Sequence, residues 1–231
     1  MAVTNIRIPG WMRLEGILTP QRRKEPWPWL KPGVFFGSLV PLVGLAVRAS
    51  QGELGANPIA QAENELGLTA LVFLVASLAC TPAKRLLGWT WPMRLRRQLG
   101  LSAFFYALLH FLTYLVLDQF FDWEAMLADI AERPFITVGF AALVIMVPIA
   151  ITSTNGWIRR LGFVRWQRLH QLVYLAGILA AIHFFWRVKI DVNQPLTYAA
   201  IVGVLLAVRA AFWARKRYGP KPAPRAQAVR R

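Results

Sequence analysis

The stretch Leu99-Gly100-Leu101-Ser102-Ala103-Phe104-Phe105-Tyr106-Ala107-Leu108-Leu109-His110-Phe111-Leu112-Thr113-Tyr114-Leu115-Val116-Leu117 runs nineteen residues without Asp, Glu, Lys or Arg. As a helix it spans about 28 Å, close to the roughly 30 Å of a bilayer's hydrocarbon core. Arg94, Arg96 and Arg97 bound it on one side and Asp118 on the other. Five further runs have the same character: Gly33 to Val47, Leu66 to Cys80, Pro134 to Ile151, Leu169 to Trp186 and Pro195 to Trp213. The composition agrees. Of 231 residues, 56% are hydrophobic and 16% charged, and mean hydropathy is +0.42, whereas a soluble domain carries about a quarter charged residues. The chain is therefore read as all-α, an integral membrane bundle of six transmembrane helices.

A net charge of +16 and a pI near 11.3 would suggest a nucleic-acid binder in a soluble chain. The positions of the charges exclude that. Of the 27 Lys and Arg residues, 22 fall in the segments before the first run, between the second and third, between the fourth and fifth, and after the sixth. Nine of the 11 acids, from Glu53 to Asp191, fall in the other three loops. This alternation follows the positive-inside rule and predicts both termini in the cytoplasm of a multi-pass inner-membrane protein. The expected organisation is residues 1–32 as a cytoplasmic and interfacial segment, 33–214 as the transmembrane domain and 215–231 as a basic, disordered cytoplasmic tail. Pro26-Trp27-Pro28-Trp29 is expected among lipid headgroups, and no cleaved signal peptide is read. Pro41 and Pro148 fall inside spans and predict kinks. Gly139, Gly177 and Gly203 are read as positions of close helix approach.

The loops leave no room for a soluble catalytic domain, and no GxGxxG or GxxxxGK[ST] signature is present. A single cysteine, Cys80, excludes an internal disulfide, CxxCH haem attachment and a cysteine-ligated iron–sulfur cluster. No catalytic residue is assigned.

What remains is three histidines, His110, His170 and His183, all in or at the edge of apolar spans and none in a loop. Intramembrane ionisable groups are costly and usually functional; the competing reading is polar contact between helices. His110 follows Arg97 by 13 residues and His183 follows Arg168 by 15, on two spans expected to run in the same direction. Both imidazoles thus lie about 20 to 22 Å from the inner edge. At matched depth they can clamp one planar cofactor, with haem iron the plainest candidate. His170, 13 residues before His183, sits about 20 Å closer to the cytoplasm and suits a second electron-carrier site. Thirteen residues do not return to one face of a regular helix, so tilt, a local distortion or different cofactor faces are required. No second histidine faces His170 from the third span. Arg97, Arg165 and Arg168 are candidates to hold haem propionates or a flavin phosphate, or else anchor helix ends. Tyr106 and Tyr114, one turn either side of His110, line a pocket or serve as interface aromatics.

The run Arg159-Arg160-Leu161-Gly162-Phe163-Val164-Arg165-Trp166-Gln167-Arg168-Leu169-His170-Gln171-Leu172-Val173-Tyr174, followed by His183-Phe184-Phe185-Trp186, resembles the MsrQ (formerly YedZ) family of haem-binding membrane subunits. Arg96-Arg97-Gln98-Leu99-Gly100-Leu101, Leu109-His110, Thr81-Pro82 and Thr152-Ser153 extend the likeness over nearly all of Gly33 to Trp213. That family belongs to the ferric-reductase-like transmembrane group, whose NADPH-oxidase members carry paired histidines on both haem helices and a fused flavin and NADPH domain. The present chain shows neither. The resemblance implies one or two b-type haems with His110, His183 and His170 as axial ligands, FMN as a further cofactor, and electrons from the quinone pool or a cytosolic flavin reductase. It also implies a periplasmic, MsrP-type molybdopterin subunit as acceptor, which repairs methionine sulfoxide in oxidised proteins. The alternatives weighed are a stand-alone ferric or cupric reductase, and a non-redox proton-coupled membrane protein, against which stands the near absence of acids within the spans.

Overall fold

The computed structural model describes residues 27–218, which are helical except for short connections; among them no strand occurs. The helices are α1 (Leu30–Ser50), α2 (Pro58–Leu86), α3 (Pro92–Leu112), α4 (Trp123–Glu132), α5 (Pro134–Ile151), α6 (Asn155–Leu161), α7 (Phe163–His170), α8 (Leu172–Arg187) and α9 (Asn193–Tyr218). A π-helical segment, Thr113–Asp118, continues α3. Six spans are long and apolar enough to cross a membrane: α1, α2, α3 with its π extension, α5, α7 with α8, and α9. These are the six runs read from the sequence.

Local chemistry sets where the helices start. Proline opens α2, α3 and α5, where the missing N–H costs nothing. Asn57 caps α2 by accepting from Ala60 N at 3.1 Å, and Asp122 caps α4 by accepting from Glu124 N and Ala125 N. Between α3 and α4 the chain reverses through two consecutive left-handed residues, Phe120 (φ 48°) and Phe121 (φ 61°), neither of them glycine.

α2 is the central span. It contributes Leu66, Ala70, Leu71, Leu74 and Leu78 to the interior, against Ala103 and Tyr106 of α3, Met146 of α5 and Ala176 of α8. α1 leaves Phe35, Phe36, Val40, Val43 and Val47 exposed, as a lipid-facing helix must. Tyr106 is only 1% exposed. Its hydroxyl donates to Ser38 O at 2.6 Å and accepts from Leu42 N at 3.2 Å, which pins α3 to α1 beside Pro41, where the helical ladder lacks a donor.

The described parts of the basic segments lie at one end of the bundle, where Arg85 of α2 also covers the Phe212 ring of α9. Gln98 Nε2 donates to Lys31 O and Arg97 Nη2 to Asn155 Oδ1, joining the starts of α1, α3 and α6. Trp91 stacks on Trp89 and meets Trp27 edge-on at this end, the headgroup position expected of such residues. Two boundaries differ from the sequence reading. Arg215, Lys216, Arg217 and Tyr218 were expected in a disordered tail and are instead the last turn of α9, where cations favour the negative end of the helix dipole. The remainder of the tail, and residues 1–26 of the N-terminal segment, lie outside the described residues. The fifth run is two helices, α7 and α8, interrupted at Gln171. Of the three ways to meet the thirteen-residue histidine spacing, the chain shows a local distortion.

Candidate functional site

His110 of α3 and His183 of α8 come together inside the bundle, with ring centroids 6.1 Å apart and planes at 76°. Each ring is held in the same way. His110 Nδ1 lies 2.9 Å from Glu63 O of α2, and His183 Nδ1 lies 2.7 Å from Phe135 O of α5. A carbonyl oxygen only accepts, so both Nδ1 atoms carry the proton and both Nε2 atoms keep a lone pair. Neither Nε2 has a protein hydrogen-bond partner among the described residues. This is the arrangement by which an outer carbonyl fixes the tautomer and orientation of a metal-binding imidazole.

Glycine makes the approach possible. A Cβ on Gly67 would sit 3.2 Å from His110 Nδ1 and Cε1, and one on Gly139 would sit 2.5 Å from His183 Nδ1 and 2.7 Å from Cε1. In each pair the accepting carbonyl is four residues before the glycine, Glu63 before Gly67 and Phe135 before Gly139. The ring lies on the bare backbone of one turn and reaches the carbonyl at its far side. Gly139 is thus a point of close approach between α5 and α8, and what it admits is the His183 imidazole. Gly177 does meet a neighbouring helix, at Leu78 of α2, whereas Gly203 faces open space, contrary to expectation.

The two imidazoles border a cavity of about 630 Å³, within the range of ligand pockets. Leu71, Leu74, Ala103, Leu143 and Met146 form its apolar wall, and Glu63, Asn64, Tyr114, Asp118, Arg133 and Arg187 lie at its polar end. Among the described residues no group of three His, Cys, Asp or Glu side chains stands ready for a metal ion. Two imidazoles with free Nε2 atoms therefore fit a metal that brings its other ligands with it, as haem iron does. Two in-line metal–imidazole bonds of about 2 Å each leave about 1 Å from each coordinating nitrogen to its ring centre at this separation. That is the half-width of an imidazole, so the pair fits the group.

His170 is differently placed. Its ring stacks on Trp166 with centroids 4.1 Å apart, and its Nε2 lies 3.1 Å from Thr152 Oγ1. The Thr152 hydroxyl gives its proton to Pro148 O at 2.6 Å, so His170 Nε2 is the donor and Nδ1 keeps the lone pair. His170 borders a second cavity of about 400 Å³ with Arg96, Arg97 and Arg209. Leu74 and Met146 line both cavities, which are thus stacked along the bundle. Among the described residues no acid lines the second one.

Of the three arginines singled out in the sequence, Arg97 reaches this second cavity, while Arg165 and Arg168 are exposed and line neither cavity. Tyr114 lines the first cavity and donates to Asp129 Oδ2, which is also paired with Arg133 at 2.9 Å. Tyr106 lines neither. The sequence reading missed Arg187, Arg209, Gly67 and the carbonyl partners. Arg209 Nη1 donates to Tyr174 Oη at 2.5 Å and Nη2 to Leu78 O at 2.7 Å, while its buried Nε has no partner. A signal for two of these was present: only Arg48, Arg133, Arg187, Lys189 and Arg209 fall outside the four basic segments. Arg48 pairs with Glu65 and Arg133 with Asp129, and Arg187 and Arg209 line the cavities.

A bundle of six spans with two opposed histidines defines a class, and a family model described as the ferric reductase like transmembrane component matches residues 41–181. The protein-methionine-sulfoxide reductase heme-binding subunit MsrQ of Rhodospirillum rubrum is 55% identical over 176 residues, covering 76% of this chain and 85% of that protein. Its counterpart in Deinococcus radiodurans is 51% identical over 80% of this chain and 91% of its own length. That of Caulobacter vibrioides is 42% identical over 89% and 99%. The chain belongs to the MsrQ family, and it is an integral protein of the bacterial inner membrane.

Proposed function

We propose that this protein is a b-type haem electron-transfer subunit of a protein-methionine-sulfoxide reductase system, with His110 and His183 as the axial ligands of one haem. The observation that carries the reading is the pair of imidazoles, each with Nδ1 held on a backbone carbonyl and Nε2 left to the same cavity. Haem iron supplies a site that takes and gives up one electron at a time. The chain's own residues do the rest. Glu63 O and Phe135 O hold the rings and raise their basicity, Gly67 and Gly139 give them room, and the wall of Leu71, Leu74 and Met146 excludes water, which keeps the environment of low dielectric.

The second cavity extends the path toward the basic end, which we assign to the cytoplasmic side on the positive-inside rule. Arg96, Arg97 and Arg209 with no neighbouring acid suit an anionic cofactor edge, the phosphate of FMN or the propionates of a second haem. His170 offers Nδ1 to that site, since Thr152 occupies its Nε2. Arg165 and Arg168, exposed beside it, are left to anchor the span at the headgroups. Electrons enter here from the quinone pool or a cytosolic flavin reductase, and leave from the His110 and His183 end to a periplasmic MsrP-type molybdopterin subunit. The names of the relatives, each a heme-binding subunit of a protein-methionine-sulfoxide reductase, support a haem group that serves such a reductase.

The test is an absorption spectrum of the protein purified in mild detergent, oxidised and then dithionite-reduced, with a pyridine haemochrome count. A sharp reduced α band of low-spin b haem is expected, lost in both His110→Ala and His183→Ala. A folded His110→Ala protein with full haem and an unchanged spectrum refutes the assignment.

A further inference from the structure

The cavity bordered by His110 and His183 is amphipathic along its length, and its two ends make different demands on a bound planar acid. The wall shared with the second cavity, Leu74 and Met146, is apolar, as are its neighbours Leu71, Ala103 and Leu143. The opposite end holds the polar side chains, and two cations are among them. Arg133 is committed to Asp129 at 2.9 Å, and Asp129 also accepts from Tyr114. Arg187 makes no hydrogen bond and no ion pair within 4 Å among the described residues, and the one acid that acts on it is Glu63, across the same cavity. It lies one helical turn beyond His183 on α8, so both side chains leave the helix on one face, into one cavity. A half-buried guanidinium in a membrane span is costly unless something anionic meets it.

We propose that Arg187 is the anchor for the carboxylates of the group held between His110 and His183, so that the acidic edge of that group points toward the end of the bundle carrying Asp118 and Asp129, and its apolar edge toward Leu74 and Met146. The inference rests on the haem reading and deepens it by fixing which way the porphyrin faces. The arginines of the second cavity lie behind Leu74 and Met146 and serve a different ligand. Glu63 and Asp118 line the same polar end, and the Glu63 Oε1 and Asn64 Oδ1 atoms are buried without partners. An added carboxylate beside these acids needs a cation at hand, and Arg187, drawn to Glu63 but hydrogen-bonded to no described residue, is the lining cation with its donors uncommitted. Its planar fork matches a carboxylate with two parallel hydrogen bonds.

The experiment compares wild type, Arg187→Gln and Arg187→Lys as purified holoproteins by spectroelectrochemical titration. It then compares binding of protohaem and protohaem dimethyl ester to the proteins prepared haem-free. Loss of a cation beside the haem disfavours the more negative reduced state, so the Arg187→Gln potential moves down and Arg187→Lys restores part of the shift. Wild type prefers the free acid over the ester by about tenfold or more, the worth of a charge-assisted hydrogen bond, and Arg187→Gln loses that preference. An unchanged potential with intact ester discrimination in Arg187→Gln overturns the inference. So does transfer of the discrimination to Arg97→Gln, which would place the carboxylates toward the other cavity. Wild-type protein that takes up no haem refutes the haem reading itself, a distinct result.

Discussion

Gly139→Ala is the sharpest perturbation the site offers, because one methyl group tests the seat of one ligand. The added Cβ would lie 2.5 Å from His183 Nδ1, 2.7 Å from Cε1 and 3.1 Å from Cγ, where ordinary contact begins at 3.4 Å. The imidazole must retreat by about 0.9 Å, the difference between those distances, whereas a metal–ligand bond of about 2 Å tolerates only about 0.2 Å. Retreat also stretches the 2.7 Å bond from Nδ1 to Phe135 O and leaves that N–H without a partner, at a cost of about 1–3 kcal/mol. Against this, alanine stabilises a helix interior by roughly 0.5–1 kcal/mol over glycine, too little to offset the loss. Gly67→Ala is the internal control: its Cβ would stand 3.2 Å from His110, needing only about 0.2 Å of adjustment, which the bond tolerates. The expected outcome in the haem-loaded protein is a low-spin spectrum largely kept in Gly67→Ala and lost in Gly139→Ala, with haem content falling in the latter. Gly139→Ala protein of full haem content and unaltered α band would refute the reasoning. So would equal damage from the two variants.

Three further outcomes follow from particular contacts. Tyr106→Phe removes the hydroxyl that bridges Ser38 O and Leu42 N; a loss of about 1–3 kcal/mol in stability is expected, read as a lower midpoint of heat-induced aggregation in detergent with the haem spectrum unchanged. Thr152→Val removes the partner of His170 Nε2, so only signals of the second cavity should change, in difference spectra or in flavin retention, while the His110 and His183 signature stays. Arg209→Met deletes the bonds to Tyr174 and Leu78 O; it should lower the heat-aggregation midpoint and weaken FMN retention, where a variant with wild-type values of both would count against a role for Arg209 in the cavity.

The fold was legible because hydrophobic length and charge sorting are each enforced by the bilayer, and here both give six spans. Depth was legible for the same reason: counting residues from Arg97 and Arg168 places His110 and His183 at one level, and their rings do meet. What the sequence did not reveal depends on helix rotation and on backbone atoms. A carbonyl has no letter in the sequence, so Glu63 O and Phe135 O were invisible, and with them the tautomer of each histidine. Gly67 and Gly139 look like ordinary small residues of packed helices until the rings above them are placed. Arg97, Arg165 and Arg168 stand out in the sequence by their place at the inner ends of the spans, yet α7 turns Arg165 and Arg168 outward, and Arg96 of α3 and Arg209 of α9 reach the cavity beside Arg97.

The repetition of one local device joins these observations. α3 lays His110 on Gly67 of α2 and α8 lays His183 on Gly139 of α5, each ring bonded to the carbonyl four residues earlier. α2 with α3, and α5 with α8, are thus two helix pairs that each fix one imidazole, and the rings meet only where the pairs face one another. A group bound to both imidazoles would then tie the two halves of the bundle together as well as carry electrons. Because it binds the folded bundle and not the unfolded chain, it must add to stability by mass action. Haem-loaded protein should therefore resist heat-induced aggregation more than haem-free protein, and His183→Ala should abolish most of that difference, apart from the lower haem-free midpoint that loss of the bond to Phe135 O itself brings. Equal midpoints with and without haem would mean that the two pairs are already locked together by packing alone, and that the histidines serve only the iron.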